Sequence, residues 1–233
     1  DLLATVTNGL GASTSFSYQR LTEPGVHTRL IGSNAAVYPQ RDVQDGTLVV
    51  TKFRADNGVG GSFDKSYTYF GSRIDLQGRS AGSNVDSQGK GLLRFAAITV
   101  TDAVTQIATT TEYSQSFPTV GMPLRVVSVY KKGTAQEVEL EREELTLSSR
   151  TTAASSIVFP FVRHSLKTTK DLNGALFSTE SYDTPRTDNL SAGDYDVYGN
   201  LLSSSNTITT DGDTYATHVQ SVYDLTRTSD WMT

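Results

Sequence analysis

The chain is 233 residues long, 36% apolar and free of cysteine, with a formal charge of −5. That charge, with no clustered stripe of Lys and Arg, argues against nucleic-acid binding, which needs cations to displace phosphate counterions. The missing cysteine rules out disulfides and thiolate metal sites, and no apolar run approaches the roughly 18 residues of a membrane span.

Serine and threonine make up roughly a quarter of the sequence, well above average usage, and Val and Tyr are frequent, so residue choice favours half-buried strands. Period-2 alternation with turn residues roughly every ten positions predicts an antiparallel meander. A turn at Asn8, Gly9, Leu10 and Gly11 leads into a strand from Ser13 to Tyr18. Asp45 and Gly46 open a β-branched run from Thr47 to Arg54, which Asp56, Asn57 and Gly58 end. From Phe63 to Ile74, Tyr67 and Tyr69 fall on one face and Ser66 and Thr68 on the other. The Gly/Ser-rich stretch 78–91 has too little apolar content to pack and reads as an exposed loop.

Phe95–Thr101, Thr105–Tyr113 and Leu124–Tyr130 read as three antiparallel strands, broken by Pro118, Gly121 and Pro123. Gln136–Leu147 fits either two alternating pieces or about three turns of helix; strand is preferred, with a bulge near Glu143. Pro160 interrupts the run Ser156–Thr169 and suggests an edge or a bulge there. A polar region follows from Thr179 to Gly193.

The sharpest motif is Asp194-Tyr195-Asp196-Val197-Tyr198-Gly199-Asn200-Leu201-Leu202. Its residues suit a tight reversal. Tyr195 can stack on a counterpart in the next hairpin, Asp196 accepts backbone N–H groups, and Gly199 supplies a positive φ before Asn200 and Leu201 start the return strand. A degenerate copy at Tyr223 and Asp224 lacks the glycine. The motif resembles the YD repeat of Rhs proteins. Four further stretches look like the shell region of Tc-toxin B components: Asp1 through Tyr18, Ala36–Val43, Asp56–Gly61 followed by Tyr67-Thr68-Tyr69, and Asp75–Arg79. The 78–91 insert stands where that family continues directly into a Gly-x-Leu-Gly-Phe-like sequence.

The resemblance implies an all-β chain of antiparallel β-hairpin (YD/Rhs) repeats forming part of a curved, shell-like sheet. Residues 1–178 would precede or open the shell, and 179–233 would begin the YD-repeat region. It further implies a non-catalytic segment of a secreted bacterial toxin, enclosing a cytotoxic cargo polypeptide. Its partners would be the remaining shell segments and that encapsulated toxin, with no cofactor, no nucleic acid and no membrane contact. The chain opens at Asp1 without a signal peptide and reads as an internal piece whose export signal lies elsewhere. An adhesin gripping glycan or protein through an aromatic face is the alternative from another class.

Several residues invite other chemistry. Gly78-Arg79-Ser80-Ala81-Gly82 matches the hydrolase Gly-x-Ser-x-Gly pattern, but glycine-rich sequence stands where the helix should follow Ser80. His27, His164 and His218 have no metal-ligand spacing and suit surface or strand-facing roles. Asp194 and Asp196 share a face as a glycosidase pair would, yet read more simply as turn and edge residues. Asp211-Gly212-Asp213 reads as a hairpin turn rather than a calcium loop, and Trp231 as packing rather than a sugar platform.

Overall fold

The computed structural model describes residues 2–76, 91–151, 158–184, 195–196 and 199–223. Ser80 with the rest of the 78–91 insert before Gly91, and Asp194, Asp224 and Trp231, lie outside the described residues. Among the described residues there is no α-helix, and the strands form one sheet. They are β1 (Thr5–Thr7), β2 (Ser13–Arg20), β3 (His27–Thr28), β4 (Gln40–Asp42), β5 (Leu48–Asp56), β6 (Ser62–Asp75) and β7 (Gly91–Asp102). Then come β8 (Ile107–Tyr113), β9 (Pro123–Tyr130), β10 (Val138–Thr151), β11 (Val158–Lys170), β12 (Leu176–Asp183), β13 (Ser203–Thr210) and β14 (Asp213–Gln220).

From β5 onward the lateral order is the chain order, so each strand pairs antiparallel with its neighbours in sequence, and β1 and β2 precede β5. Segment 21–47 is the exception. It leaves the meander after β2, and its β3 (parallel) and β4 (antiparallel) line the C-terminal half of β6, beyond where β5 ends. The connections alternate between the two ends of the strands. At one end lie short turns at 8–12, 57–61, 103–106, 131–137, 171–175 and 211–212. At the other lie the 21–47 excursion, the 114–122 loop and the 184–202 connection.

Register keeps the two faces chemically distinct. On one face Thr68 stands opposite Thr99 and Thr99 opposite Thr110. After Val127 and Arg142 the row resumes as Thr168, Thr179, Thr209 and Thr214. Thr99 and Thr110 hydroxyls are 2.8 Å apart, and those of Thr209 and Thr214 are 3.1 Å apart. The opposite face carries Tyr67, Tyr69 and Ile98 over β6 and β7, then turns charged where Glu143 faces Lys167 and Lys167 faces Glu180. The alternation of Tyr67 and Tyr69 against Ser66 and Thr68 is thus as the sequence predicts.

Only Leu21, Val26, Leu93, Ala108 and Val129 are buried apolar side chains among the described residues. Val26, whose carbonyl accepts the Tyr69 N–H, and Leu93 sit where the excursion meets β6 and β7. There β7 bulges, with Leu93 and Arg94 opposing Arg73 alone, and Arg94 takes φ +68°. Gly71, at φ +64°, lies so close to Leu30 and Ala96 that a Cβ would come within 2.8 Å of either. The Gln115 amide reaches across from the 114–122 loop and donates to Gly71 O at 2.7 Å and Arg94 O at 2.9 Å.

Two expectations need correction, and two strands went unforeseen. The Gln136–Leu147 tract is a strand, but its irregularities flank Glu143, at Glu139/Glu141 against β9 and at Thr146/Leu147 against β11. Glu143 itself stays in register between Val126 and Lys167, and Lys167 lies 3.0 Å from Glu141, offsetting the acidic run. The polar region from Thr179 begins inside β12, so the 178/179 boundary falls within a strand. Hydroxyl side chains there alternate no apolar signal, and ladders on both sides hold the strand. Finally, β3 and β4 have no counterpart in the sequence reading. Pro160 is placed as expected: it pairs with Ser149 of β10, while the register with β12 begins only at His164.

Candidate functional site

The Tyr-Asp turn is held at four points. Tyr195 bridges Leu201 across it. The Asp196 N–H donates to Asn200 O at 2.9 Å, and Gly199 N–H donates to Asp196 O at 3.2 Å. The Asp196 carboxylate accepts from the Asn200 backbone N–H and side-chain amide, each at 2.8 Å. Gly199 sits at φ +89°, which L side chains rarely adopt.

The turn docks on the start of β11. Its Tyr195 ring meets Phe159 edge-on at 5.2 Å between centroids and Phe161 at 4.7 Å, and those two rings lie 5.9 Å apart. The Arg150 guanidinium of β10 donates to Tyr195 O. A Cβ on Gly199 would touch the Phe159 ring at 3.6 Å. Among the described residues, Tyr195 therefore packs on phenylalanines rather than on a tyrosine of another hairpin. Tyr223 lies past the end of β14 and is exposed, and its companion Asp224 is outside the described residues.

The same five-residue device occurs three more times. Asn8 Oδ1 accepts from Leu10 and Ala12 N–H, Asn57 Oδ1 from Val59 and Gly61, and Asp171 Oδ1 from Asn173 and Ala175, all at 2.8–3.0 Å. In each, the first residue donates its N–H to the carbonyl of the fifth, as Asp196 does to Asn200. In each, the fourth residue is a positive-φ glycine: Gly11, Gly60 and Gly174. The Ala175 N–H, with help from Asn173, holds the Asp171 carboxyl below its ordinary range. The sequence signal is Asp or Asn followed three positions later by Gly. It was visible at all four places, but only Asp196 carries the preceding tyrosine that draws attention to it.

A second constellation holds the excursion to the sheet. His27 is buried on β3; its Nε2 accepts the Ser72 N–H at 3.1 Å, and its ring lies 6.1 Å from Phe95. Burial lowers its pKa. Asp42 on β4 pairs with Arg73 at 2.8 Å and accepts the Ala36 N–H at 2.6 Å. Burial pushes the Asp42 carboxyl up, but the Ala36 N–H and Arg73 together outweigh it and bring the carboxyl below its usual range. Arg73 also donates to Asn34 O. The sequence reading gave His27 a surface or strand-facing role, and the structure buries it on β3; no short-range spacing links it to Asp42 and Arg73, so the constellation itself was missed.

The remaining candidates are dispersed. His164 Nδ1 lies 2.8 Å from Asp183 and His218 Nδ1 3.0 Å from Ser205, each a cross-strand pair, so the three histidines are not brought together. Asp211 and Gly212 form the reversal between β13 and β14, both at positive φ, as a hairpin turn requires. No cluster of three or more His, Asp or Glu suited to a metal occurs among the described residues. No protein-family model matches this sequence, and neither does any curated protein.

Proposed function

We propose that this chain is a non-catalytic wall segment of a secreted bacterial Rhs/YD-repeat toxin of the Tc-toxin B-component type, forming part of a hollow β shell around a cytotoxic cargo polypeptide. The observation that carries the reading is the Asx-Gly hairpin turn, which reverses the meander at Asn8, Asn57 and Asp171 and recurs at Asp196 within the 184–202 connection. A wall built hairpin by hairpin needs such a device, because each reversal must return the strand in register without help from distant chain. The thin core supports the same reading. A sheet with few buried apolar side chains and a threonine row on one face suits a layer wetted on both sides.

Negative-stain electron microscopy of the full-length protein containing this chain, expressed together with its cargo, tests the proposal. A closed hollow particle with internal density is the expected result. A solid or extended particle without a lumen would overturn it and favour glycan or protein capture through exposed aromatics such as Phe63 and Tyr215.

A further inference from the structure

Three Asn-Gly pairs occur in the chain, Asn8-Gly9, Asn57-Gly58 and Asn173-Gly174, and each lies in one of the Asx turns. An asparagine before glycine can cyclise on its own backbone, because glycine has no Cβ to keep its nitrogen from the preceding side-chain carbonyl. By sequence the three pairs are equivalent. By structure they are not: Asn8 and Asn57 open their turns, whereas Asn173 is the third residue of the turn that Asp171 opens.

That placement separates them twice. Asn8 Oδ1 accepts the Leu10 and Ala12 N–H groups at 2.9 and 3.0 Å, and Asn57 Oδ1 those of Val59 and Gly61 at 3.0 and 2.9 Å. Paired N–H donors at this range polarise the carbonyl and hold the oxyanion that forms on it when a nucleophile adds. Among the described residues Asn173 Oδ1 accepts no such bond. Its Nδ2 instead faces Asp171 Oδ2 at 3.4 Å, and a carboxylate there opposes developing negative charge. The nucleophiles differ as well. The Gly174 N–H donates to Asp171 O at 3.0 Å, while the exposed Gly9 and Gly58 N–H groups donate to no acceptor among the described residues.

We propose that Asn8 and Asn57 are self-modification sites, which the folded chain converts to aspartate and isoaspartate ahead of Asn173. The glycine nitrogen gives its proton to hydroxide and attacks the asparagine Cγ. The new C–N bond puts the charge on Oδ1; collapse then breaks the Cγ–Nδ2 bond, and Nδ2 takes up a proton and leaves as ammonia. Water opens the resulting succinimide at either carbonyl. Breaking the bond from the ring nitrogen to Cγ gives aspartate, and breaking its bond to the main-chain carbonyl carbon gives isoaspartate. One water is consumed and one ammonia released, with no change of oxidation state. Aspartate suits the turn, since Asp171 and Asp196 hold the same place in the sister turns. Isoaspartate at position 57 adds a main-chain carbon inside the reversal that sets Asp56 opposite Ser62. The proposal rests on the turns alone and is independent of the shell reading.

Incubation of the full chain at mildly alkaline pH, folded and in denaturant, tests this, with conversion at each site read by peptide mass spectrometry and enzymatic isoaspartate methylation. Relative to their rates in denaturant, Asn8 and Asn57 are expected to lead Asn173 about fivefold or more in the folded chain, the factor that one ordinary hydrogen bond at Gly174 imposes. Gly9→Ala is expected to hold Asn8 at the Asn173 level or below and to leave Asn57 unchanged. Gly9 is not at positive φ and a Cβ there meets nothing within 4 Å, so the variant shields the nitrogen while the turn keeps its shape. Asn8 or Asn57 showing no lead over Asn173 in the folded chain, or undiminished conversion at Asn8 in Gly9→Ala, would each overturn the inference.

Discussion

Asp196 and Gly199 divide the Tyr-Asp turn between a side-chain acceptor and a backbone angle, and the two can be separated by substitution. Asp196→Ala removes the acceptor for Asn200 and is expected to lower stability by about 1 kcal/mol. Asp196→Asn is expected to cost less, because Asn8 and Asn57 accept the same fifth-residue N–H in the sister turns and only the bond from the Asn200 side-chain amide is lost. Equal losses from both substitutions in urea unfolding would mean that charge, not the acceptor, holds the turn. Gly71 is less forgiving: positive φ and contact with Leu30 and Ala96 make Gly71→Ala cost roughly 2–4 kcal/mol in the same measurement. His27 adds a pH dependence. Its folded pKa lies below the ordinary 6.5, so the unfolded chain takes up the proton first as pH falls. The stability it carries is therefore complete above pH 6.5 and lost as pH drops through the folded value. The protection factor of the Ser72 amide is expected to fall between pH 7 and 5 in the native chain and to lose that slope in His27→Leu. Asp42, also lowered but from 3.8, acts in a separate and more acidic window.

The 21–47 excursion is tied to β6 by few side chains, and one ion pair dominates. The Asp42 side chain is 2% exposed and Arg73 17%. Removing the guanidinium strands a buried carboxylate, at a cost of about 3–5 kcal/mol. Arg73→Ala is expected to speed trypsin cleavage after the exposed Arg29 and Arg41; unchanged cleavage would mean that backbone pairing of β3 and β4 suffices. These two strands also mark where sequence reading ran out. β2, β5 and β7 to β9 were legible because β-branched and aromatic residues alternate between clear turn residues. β3 and β4 are two and three residues long and owe their existence to a partner decades of residues away, which no local pattern encodes. β12 was hidden differently, since Ser178, Thr179 and Ser181 give no apolar period. Its register comes from β11 and β13.

Alternation told which residues share a face, but not what lies against that face, so the openness of the sheet was beyond the sequence while its class was not. A meander has a further consequence. Among the described residues each strand from β7 to β14 pairs with no strand but its neighbours, which makes stability close to a sum of adjacent interfaces, as in repeat proteins. Those interfaces are unequal. β6 and β10 are 14 residues long and β11 is 13, whereas β13 and β14 have eight each, and the excursion and the 114–122 loop cover β6 and β7 alone. Among the described strands, local opening should therefore begin at the two ends, the three-residue β1 and the β13–β14 hairpin, and spread inward, since an outermost element loses one interface and little buried surface when it frays. Native-state amide exchange is expected to show protection highest at Tyr69–Ser72 and Ile98, intermediate across β10 and β11, and lowest at Thr5–Thr7 and from Ser203 to Gln220. A single protection level across all strands would mean instead that the sheet opens as one cooperative unit, with coupling carried beyond nearest neighbours.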